Sequence, residues 1–250
     1  MHKQKINHNL INPEIAEILG AFIGDGWIES NKGALYITGS PSEDKLYYDN
    51  HLSVLFSKYF ESVEPKNFAY WGVYGISSYK KKVIRKAIDL GFQIGHKSSV
   101  AKIPDYIVNS KDMKIIKAVI RGIFDSDGSF WCERSRAKTS TEWKKTHNYH
   151  PEMCISSCSN ILLEQIRILL NKLGVESQVR LKHIKGFKNN RNISDSYQLN
   201  IRKIAEIEKF FYIIKPSNPR HQTRYQVWKK LGYLDPYTKI EDRLKILVRI

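Results

Sequence analysis

Two aspartates in this chain occupy a disfavoured position, and both do so in the same local setting. Residues 18–26 read ILGAFIGDG and residues 120–128 read IRGIFDSDG. Superposing the nonapeptides sets Gly20 on Gly122, Phe22 on Phe124, Asp25 on Asp127 and Gly26 on Gly128. Each segment reads as an apolar helix that stops at an Asp-Gly step. Glycine is expected there, because it adopts the left-handed backbone that commonly ends a helix. Aspartate is not, since its charge meets the negative end of the helix macrodipole at a cost of roughly 0.3–1 kcal/mol. The same misplacement in two copies calls for a compensating cation. Unpaired carbonyls at a helix C-terminus are hard oxygen donors, and carboxylate, carbonyl and water together suit Mg²⁺. Two carboxylates with divalent ions between them, facing a polyanion, are the parts of metal-assisted phosphodiester hydrolysis.

The helices must bring those parts together, and their small residues provide the means. Gly20-x-x-x-Gly24 and Gly122-x-x-x-Ser126 place small side chains one turn apart, which lets two helix backbones approach closely. Packed side by side, the helices deliver Asp25 and Asp127 next to each other. A single Asp-Gly would read as an ordinary helix end. DSDGS (125–129) has a partial likeness to a calcium loop but lacks the full acidic spacing and the terminal Glu. Duplication on matched helices favours the chemical reading.

The spacing of the copies, about a hundred residues, is too long for a solenoid repeat. The segments after each copy correspond as well. WIESNKGALYITGS reads as strand, turn and strand, with Asn31-Lys32-Gly33 supplying turn chemistry. SPSEDKLYYDNHLSVLFSKYF reads as a helix capped by Ser42 or Asp44, with an apolar stripe through Leu46, Leu52, Phe56 and Tyr59. In the second copy the pattern gives a strand at 130–138, a polar insertion at 139–151, a strand at 152–157, and a helix from an Asn160 cap to Gly174. Further strands and a closing helix complete an αββαββα order twice over, an α+β chain of two pseudo-symmetric halves, each with a four-stranded antiparallel sheet. The expected division is 1–105, 106–215 and a loop-and-helix tail at 216–250.

The 250 residues carry 41 Lys and Arg against 25 Asp and Glu, a formal net charge of +16. That surplus asks for a large anionic partner, and a pI of about 9.6 is one footprint of nucleic-acid binding. A membrane surface fits less well, because the basic residues do not gather on one amphipathic helix. No apolar run reaches the roughly 18 residues that span a bilayer, and the N-terminus has no secretory pattern. Cys132, Cys154 and Cys158 do not suggest a disulfide framework. A monomer in a reducing cytoplasm, with no obligate protein partner and nucleoid-associated through DNA, is the expectation.

Alternation in the strands nominates a reading face. Arg180 and Lys182 oppose Val179 and Leu181, Gln198 and Asn200 oppose Tyr197, Leu199 and Ile201, and Arg134, Arg136 and Lys138 share one side. Thr38 falls on the corresponding face of the first half. Such side chains can hydrogen-bond base edges in a major groove. KHIKGFKNNRN (182–192), with Lys188 and Arg191, reads as a basic hairpin better suited to phosphates. His147, His150, Cys154 and Cys158 match no common zinc spacing, and packing is the better account of them.

The paired nonapeptides resemble the signature of the LAGLIDADG homing endonucleases, single-chain two-repeat type, and the likeness in strand and helix order covers nearly the whole chain. The resemblance implies that the two helices form the interface between half-domains and that each four-stranded sheet is half of a saddle over the DNA major groove. It implies that Asp25 and Asp127 bind the catalytic divalent metal, with the backbone carbonyls of Gly24 and Ser126 beside them. Mg²⁺ is the implied ion, with Mn²⁺ substituting and Ca²⁺ binding without cleavage. Ile23 replaces the signature's other Asp, which Asp125 keeps in the second copy. The Gln common at the end of the second strand is replaced by Gly39 and Ser157. A basic residue beside the metals is expected, and Lys97, or in the second half Arg220 or His221, is the candidate. The implied activity is cleavage of both strands of a long asymmetric duplex. An intron-encoded or free-standing enzyme fits better than an intein. An RNA-binding maturase and a non-cleaving DNA-binding protein are the rivals, and retention of both acids favours the nuclease.

Overall fold

The computed structural model describes residues 11–29, 33–139, 142–184, 186–188 and 191–248, with backbone alone for 134–139, 142–148, 187, 188 and 191–193. Helix α1 (Pro13–Asp25) starts where Asn12 accepts the Ile15 N–H at 2.9 Å and Pro13 fixes the first turn. It runs into β1 (Gly26–Ile28) and β2 (Leu35–Gly39). Next come α2 (Lys45–Tyr47), a π turn (Tyr48–Leu52), α3 (Ser53–Tyr59), β3 (Lys66–Phe68), β4 (Val73–Ser78), α4 (Lys81–Asp89) and α5 (Asp105–Val108). The second copy repeats the order with α6 (Met113–Asp127), β5 (Gly128–Thr139), β6 (Glu142–Ser157), α7 (Asn160–Lys172) and β7 (Gln178–His183). A small hairpin, β8 (Gly186–Lys188) and β9 (Arg191–Ile193), precedes β10 (Ser196–Ile201) and α8 (Ile204–Ile214). Helices α9 (Pro219–Leu231) and α10 (Ile240–Val248) follow.

The fold is α+β, with two four-stranded antiparallel sheets ordered β1-β2-β4-β3 and β5-β6-β10-β7. Both have the same sequence of first, second, fourth and third strand. One continuous core joins α1 and α6 (Ile18, Phe22, Ile123, Phe124) to the inner faces of both sheets (Leu35, Ile37, Ile76; Met153, Ile155, Leu199). Among the described residues no helix is long and apolar enough to cross a membrane.

Helices α1 and α6 pack with their glycines in contact. A Cβ on Gly20 would lie 2.3 Å from the Val119 carbonyl oxygen, and one on Gly122 would lie 2.1 Å from that of Glu17. Glu17 is buried in the same seam, where it receives Arg121 Nη1 at 2.9 Å and His51 Nε2 at 2.6 Å.

Several local expectations change. Gly26 and Gly128 are extended, not left-handed (φ −98° and −73°). They are glycines because each helix passes straight into a strand, where a Cβ would meet the Phe22 or Phe124 ring at 2.3 or 2.2 Å. The π turn adds a residue to its helix and shifts the buried stripe, so Tyr47 and Tyr48 are inside and Leu46 is exposed. Ser159, not Asn160, caps α7, its hydroxyl accepting the Leu162 N–H at 3.2 Å. The polar insertion at 139–151 is largely a continuation of the β5–β6 ribbon, whose β6 strand takes the extra residues at two register shifts. Asn31 and Lys32 lie outside the described residues; Gly33 has φ +63°.

Candidate active site

The two motif helices end together. A Cβ on Gly24 would lie 2.1 Å from Ser126 Oγ and 3.3 Å from Asp127 Cγ, so the last turn of α6 rests directly against the last turn of α1. The Ser126 hydroxyl turns back to the Gly122 and Ile123 carbonyls, at 2.9 and 3.0 Å. That leaves Asp25, half-buried, and Asp127, more open, as the carboxylates at the junction. Enclosure, reinforced by the charges of Asp127 and Asp44, raises the Asp25 carboxyl to about 8. Asp127 moves in the same direction through enclosure, against the pull of Lys97 and Arg220.

Each helix end carries its own cation. Lys97 Nζ donates to the carbonyls of Phe22 (2.5 Å), Ile23 and Gly24 (2.9 Å) at the end of α1. Arg220 Nη2 donates to the carbonyls of Ser126 (2.8 Å) and Asp125 (3.3 Å) at the end of α6. Both residues follow the last helix of their half, and both sit where a positive charge offsets the helix dipole. Enclosure pulls the Lys97 ammonium down to about 8, with Asp127 and Asp25 opposing the shift. Lys97, Gly24, Asp127 and Ser157 line one depression of about 290 Å³ that opens beside this junction.

The surroundings of the two cations differ. Arg220 Nη1 is held 3.2 Å from Asp44, a buried acid that also receives Asn218 Nδ2 at 2.7 Å and the Ser40 N–H at 2.8 Å. Asp44 therefore does not cap α2, and Gly39 is glycine because a Cβ would come 2.7 Å from Asp44 Oδ2. Sequence reasoning missed Asp44 as a site residue. Its side-chain partners, Asn218 and Arg220, come from beyond residue 216, and no local pattern marks it. His221 is fully buried against Phe124, ring centroids 4.4 Å apart, and its Nε2 lies 3.2 Å from Arg220 Nη2, behind the cation rather than beside the two carboxylates. Asp125 is also fully buried and accepts the Ser217 and Asn218 N–H groups at 2.8 and 3.1 Å, so its role is to anchor the chain entering α9.

Residues 114–215 match the family described as a LAGLIDADG-like domain. The matched residues run from the start of α6 to the end of α8. The structure of I-DmoI in complex with DNA and Mn has the same fold, with TM-score 0.53 and 18% identity over 81% of this chain and 96% of that one. Mesophilic variants of the homing endonuclease I-DmoI match at TM-score 0.52 and 18% identity. Two I-SmaMI variants cover 89% of this chain and 90% and 91% of their own, at TM-scores of 0.52 and 0.54 and identities of 14% and 12%. Helix α1 precedes the matched residues and has the same place in the first half as α6 in the second. No curated protein matches the chain.

On the second sheet, the register places Arg180, Gln198 and Ser156 in one row and Gln178, Asn200 and Cys154 in the next. Arg180 Nη2 reaches Gln198 Oε1 at 3.4 Å, and Gln198 Nε2 reaches Ser156 Oγ at 3.4 Å. Arg180 and Lys182 are exposed, while Gln198 and Asn200 lie beneath their neighbours. Thr38 is buried on β2, opposite Gly75. The side chains of Arg134, Arg136, Lys138, Lys188 and Arg191 lie outside the described residues; their backbones belong to β5, β8 and β9.

Proposed function

We propose that the chain is a divalent-metal-dependent, site-specific endonuclease that hydrolyses one phosphodiester in each strand of a long asymmetric DNA duplex. The observation that carries this reading is the junction of α1 and α6, where Asp25 and Asp127 emerge together between two basic side chains. Both acids belong to one chain, so the centre is complete in a monomer.

The donor set fits a hard divalent ion. Among the described residues no three His, Cys, Asp or Glu side chains gather in a metal cluster. Two carboxylates plus the Gly24 and Ser126 carbonyls leave room for water and phosphate oxygen, as Mg²⁺ prefers. The enclosure that pushes the Asp25 carboxyl upward is relieved by such a cation. Asp25, Asp127 and the two carbonyls would hold the ion, which supplies Lewis-acid stabilisation of the attacked phosphate. Lys97, which lines the depression, would stabilise charge developing on a phosphate oxygen by exchanging one of its three carbonyl contacts for it. Arg220 holds the end of α6 in register with Asp44. The exposed Arg180 and Lys182, with Gln198 and Asn200, form the proposed reading face, and the basic β8–β9 hairpin the phosphate contact.

The test compares plasmid linearisation and duplex binding for wild type, Asp25→Asn and Asp127→Asn. Cleavage should vanish in both variants while binding stays within a few-fold. Mn²⁺ should replace Mg²⁺, and Ca²⁺ should support binding without cutting. Affinity should fall steeply with salt, as phosphate contacts release counterions. Linearisation by Asp127→Asn at the wild-type rate would refute the catalytic assignment.

A further inference from the structure

The sheet faces that no helix covers differ sharply between the two halves. The second sheet presents Arg180 and Gln178, with Gln198 and Asn200 beneath them in the same rows. The first sheet turns Ile28, Leu35, Ile37 and Ile76 to the core and carries a cluster of rings on the other side. Trp27 of β1 stacks on Tyr36 of β2, ring centroids 4.7 Å apart, and Phe68 of β3 stacks on Trp71 at 5.9 Å. Trp71 stands edge-on to Trp27 and Tyr36, both at 5.3 Å. Tyr79 closes the cluster, its hydroxyl 3.2 Å from that of Tyr36. Trp71 and Tyr79 remain 44% and 59% exposed, far more than a packing role needs.

We propose that this aromatic platform reads one half of the DNA target by apolar contact with thymine C5 methyl groups in the major groove. The inference rests on the nuclease reading above and assigns its base selectivity. Three observations point to this occupant. The face is the repeat-equivalent of the Arg180–Gln198 face, reached by the same strand order. Lys66 lays its ammonium over Phe68 and Tyr79, at 5.3 and 5.7 Å, so a cation suited to phosphate borders the apolar surface. The Tyr36 and Tyr79 hydroxyls are turned to each other, and phenyl carries no donor or acceptor, so beyond the indole N–H groups the surface is apolar. The thymine methyl is the base-edge feature that an apolar surface can recognise. Stacking on unpaired bases requires an open ring face. Here Trp27 is stacked on Tyr36 and Phe68 on Trp71, which favours contact with a paired base edge.

The test begins with duplexes selected from a random library by binding, so that it does not depend on cleavage. Thymine is then replaced by uracil, which removes only the methyl, in one half-site at a time. Arg180→Ala identifies the other half by relaxing preference there. Wild type should lose affinity by about fourfold for each contacted methyl removed, the value of one buried methyl-sized group, in the first-sheet half alone. Trp71→Ala, or the milder Trp71→Phe and Tyr79→Ala, should bind the thymine and uracil duplexes more nearly alike. Equal wild-type affinity for thymine and uracil in both halves overturns the platform and leaves the nuclease reading standing. Methyl sensitivity without cleavage in Mg²⁺ sustains the platform and refutes the nuclease. Failure to select any duplex overturns the platform, and capture of a protein by this face in place of DNA does the same.

Discussion

Gly20 and Gly122 meet where the two motif helices cross, each Cα facing the other helix's backbone with no space for a methyl group. The nearest atoms to a Cβ on either residue are backbone, at 2.3 Å for Gly20 and 2.1 Å for Gly122, and backbone cannot rotate away as a side chain can. Gly20→Ala or Gly122→Ala must therefore part the helices and shift Asp25 relative to Asp127. Overpacking of this kind costs about 3 kcal/mol. Urea denaturation should show a loss of that size, and any folded fraction should cut DNA poorly. Gly72→Ala is the control: its φ is +65° but nothing lies within 4 Å of the added carbon, so it should lose only about 1 kcal/mol from backbone strain.

The seam also contains charge. Glu17 is 3% exposed and is held from α6 by Arg121, which donates to the Ile214 carbonyl as well, at 2.9 Å. Removing one partner of a buried pair leaves the other charge uncompensated, a cost of about 3–5 kcal/mol where both are fully buried. Arg121 keeps a quarter of its side chain in water, and His51 remains beside Glu17. Arg121→Ala should therefore cost about 2 kcal/mol in denaturant midpoint. Glu17→Gln combined with Arg121→Met should recover most of it. No recovery in the double variant would show that packing, not charge, carries the loss.

The motif pair, the helix-strand order and the polar rows of β7 and β10 were legible because each rests on local periodicity. A helix repeats its buried face every three to four residues and a strand every two, so Ile18 and Phe22, or Leu199 and Ile201, announce themselves. Contacts spanning the chain were not legible. Asp44 looks like a helix cap because its neighbours are local, yet its partners Asn218 and Arg220 lie more than 170 residues away. Residues 139–151 read as a polar insertion because their sequence lacks the apolar alternation of a half-buried strand. The glycines of both Asp-Gly steps were correctly located but wrongly explained. Their need comes from the Phe22 and Phe124 rings beneath them, and ring placement is tertiary.

Residues beyond 216 hold the first half as well as the second. Asn218 is fully buried and donates from Nδ2 to Asp44 (2.7 Å) and to the Asp125 carbonyl (2.9 Å), while its own Oδ1 accepts the Arg220 N–H at 2.9 Å. Arg243 of α10 and Arg224 of α9 both reach Glu43, at 2.8 and 3.2 Å. Asn218→Ala removes a helix cap and leaves a buried carboxylate short of a donor, a loss of about 2–4 kcal/mol. Asn218→Asp should be worse at neutral pH, since it sets a third carboxylate between Asp44 and Asp125. Thermal melts at matched pH decide the order; an aspartate variant as stable as wild type would show that the amide's donors are dispensable.

His221 gives the fold a pH dependence of definite sign. Burial, and then the charges of Arg220 and Arg224, hold its imidazole well below the ordinary range for histidine, while backbone groups of Asp125 and Phe124 oppose the shift. The folded chain keeps His221 neutral in mildly acid solution, whereas the unfolded chain takes up a proton near pH 6.5. The stability linked to this group is complete above pH 6.5 and is lost as the pH falls below it, by up to about 1.4 kcal/mol per pH unit. Asp25 and Asp125, raised to about 8 and about 7, act with the opposite sign, so the net profile of wild type mixes both. The difference between wild type and His221→Phe isolates the histidine. The ring contact with Phe124 survives in the variant and the titration does not, so the wild type should lose ground to it steadily from pH 6.5 to pH 5 in urea midpoints. A constant difference across that range would mean that His221 takes up its proton in the folded state, and that the buried pocket around Phe124 admits the charge.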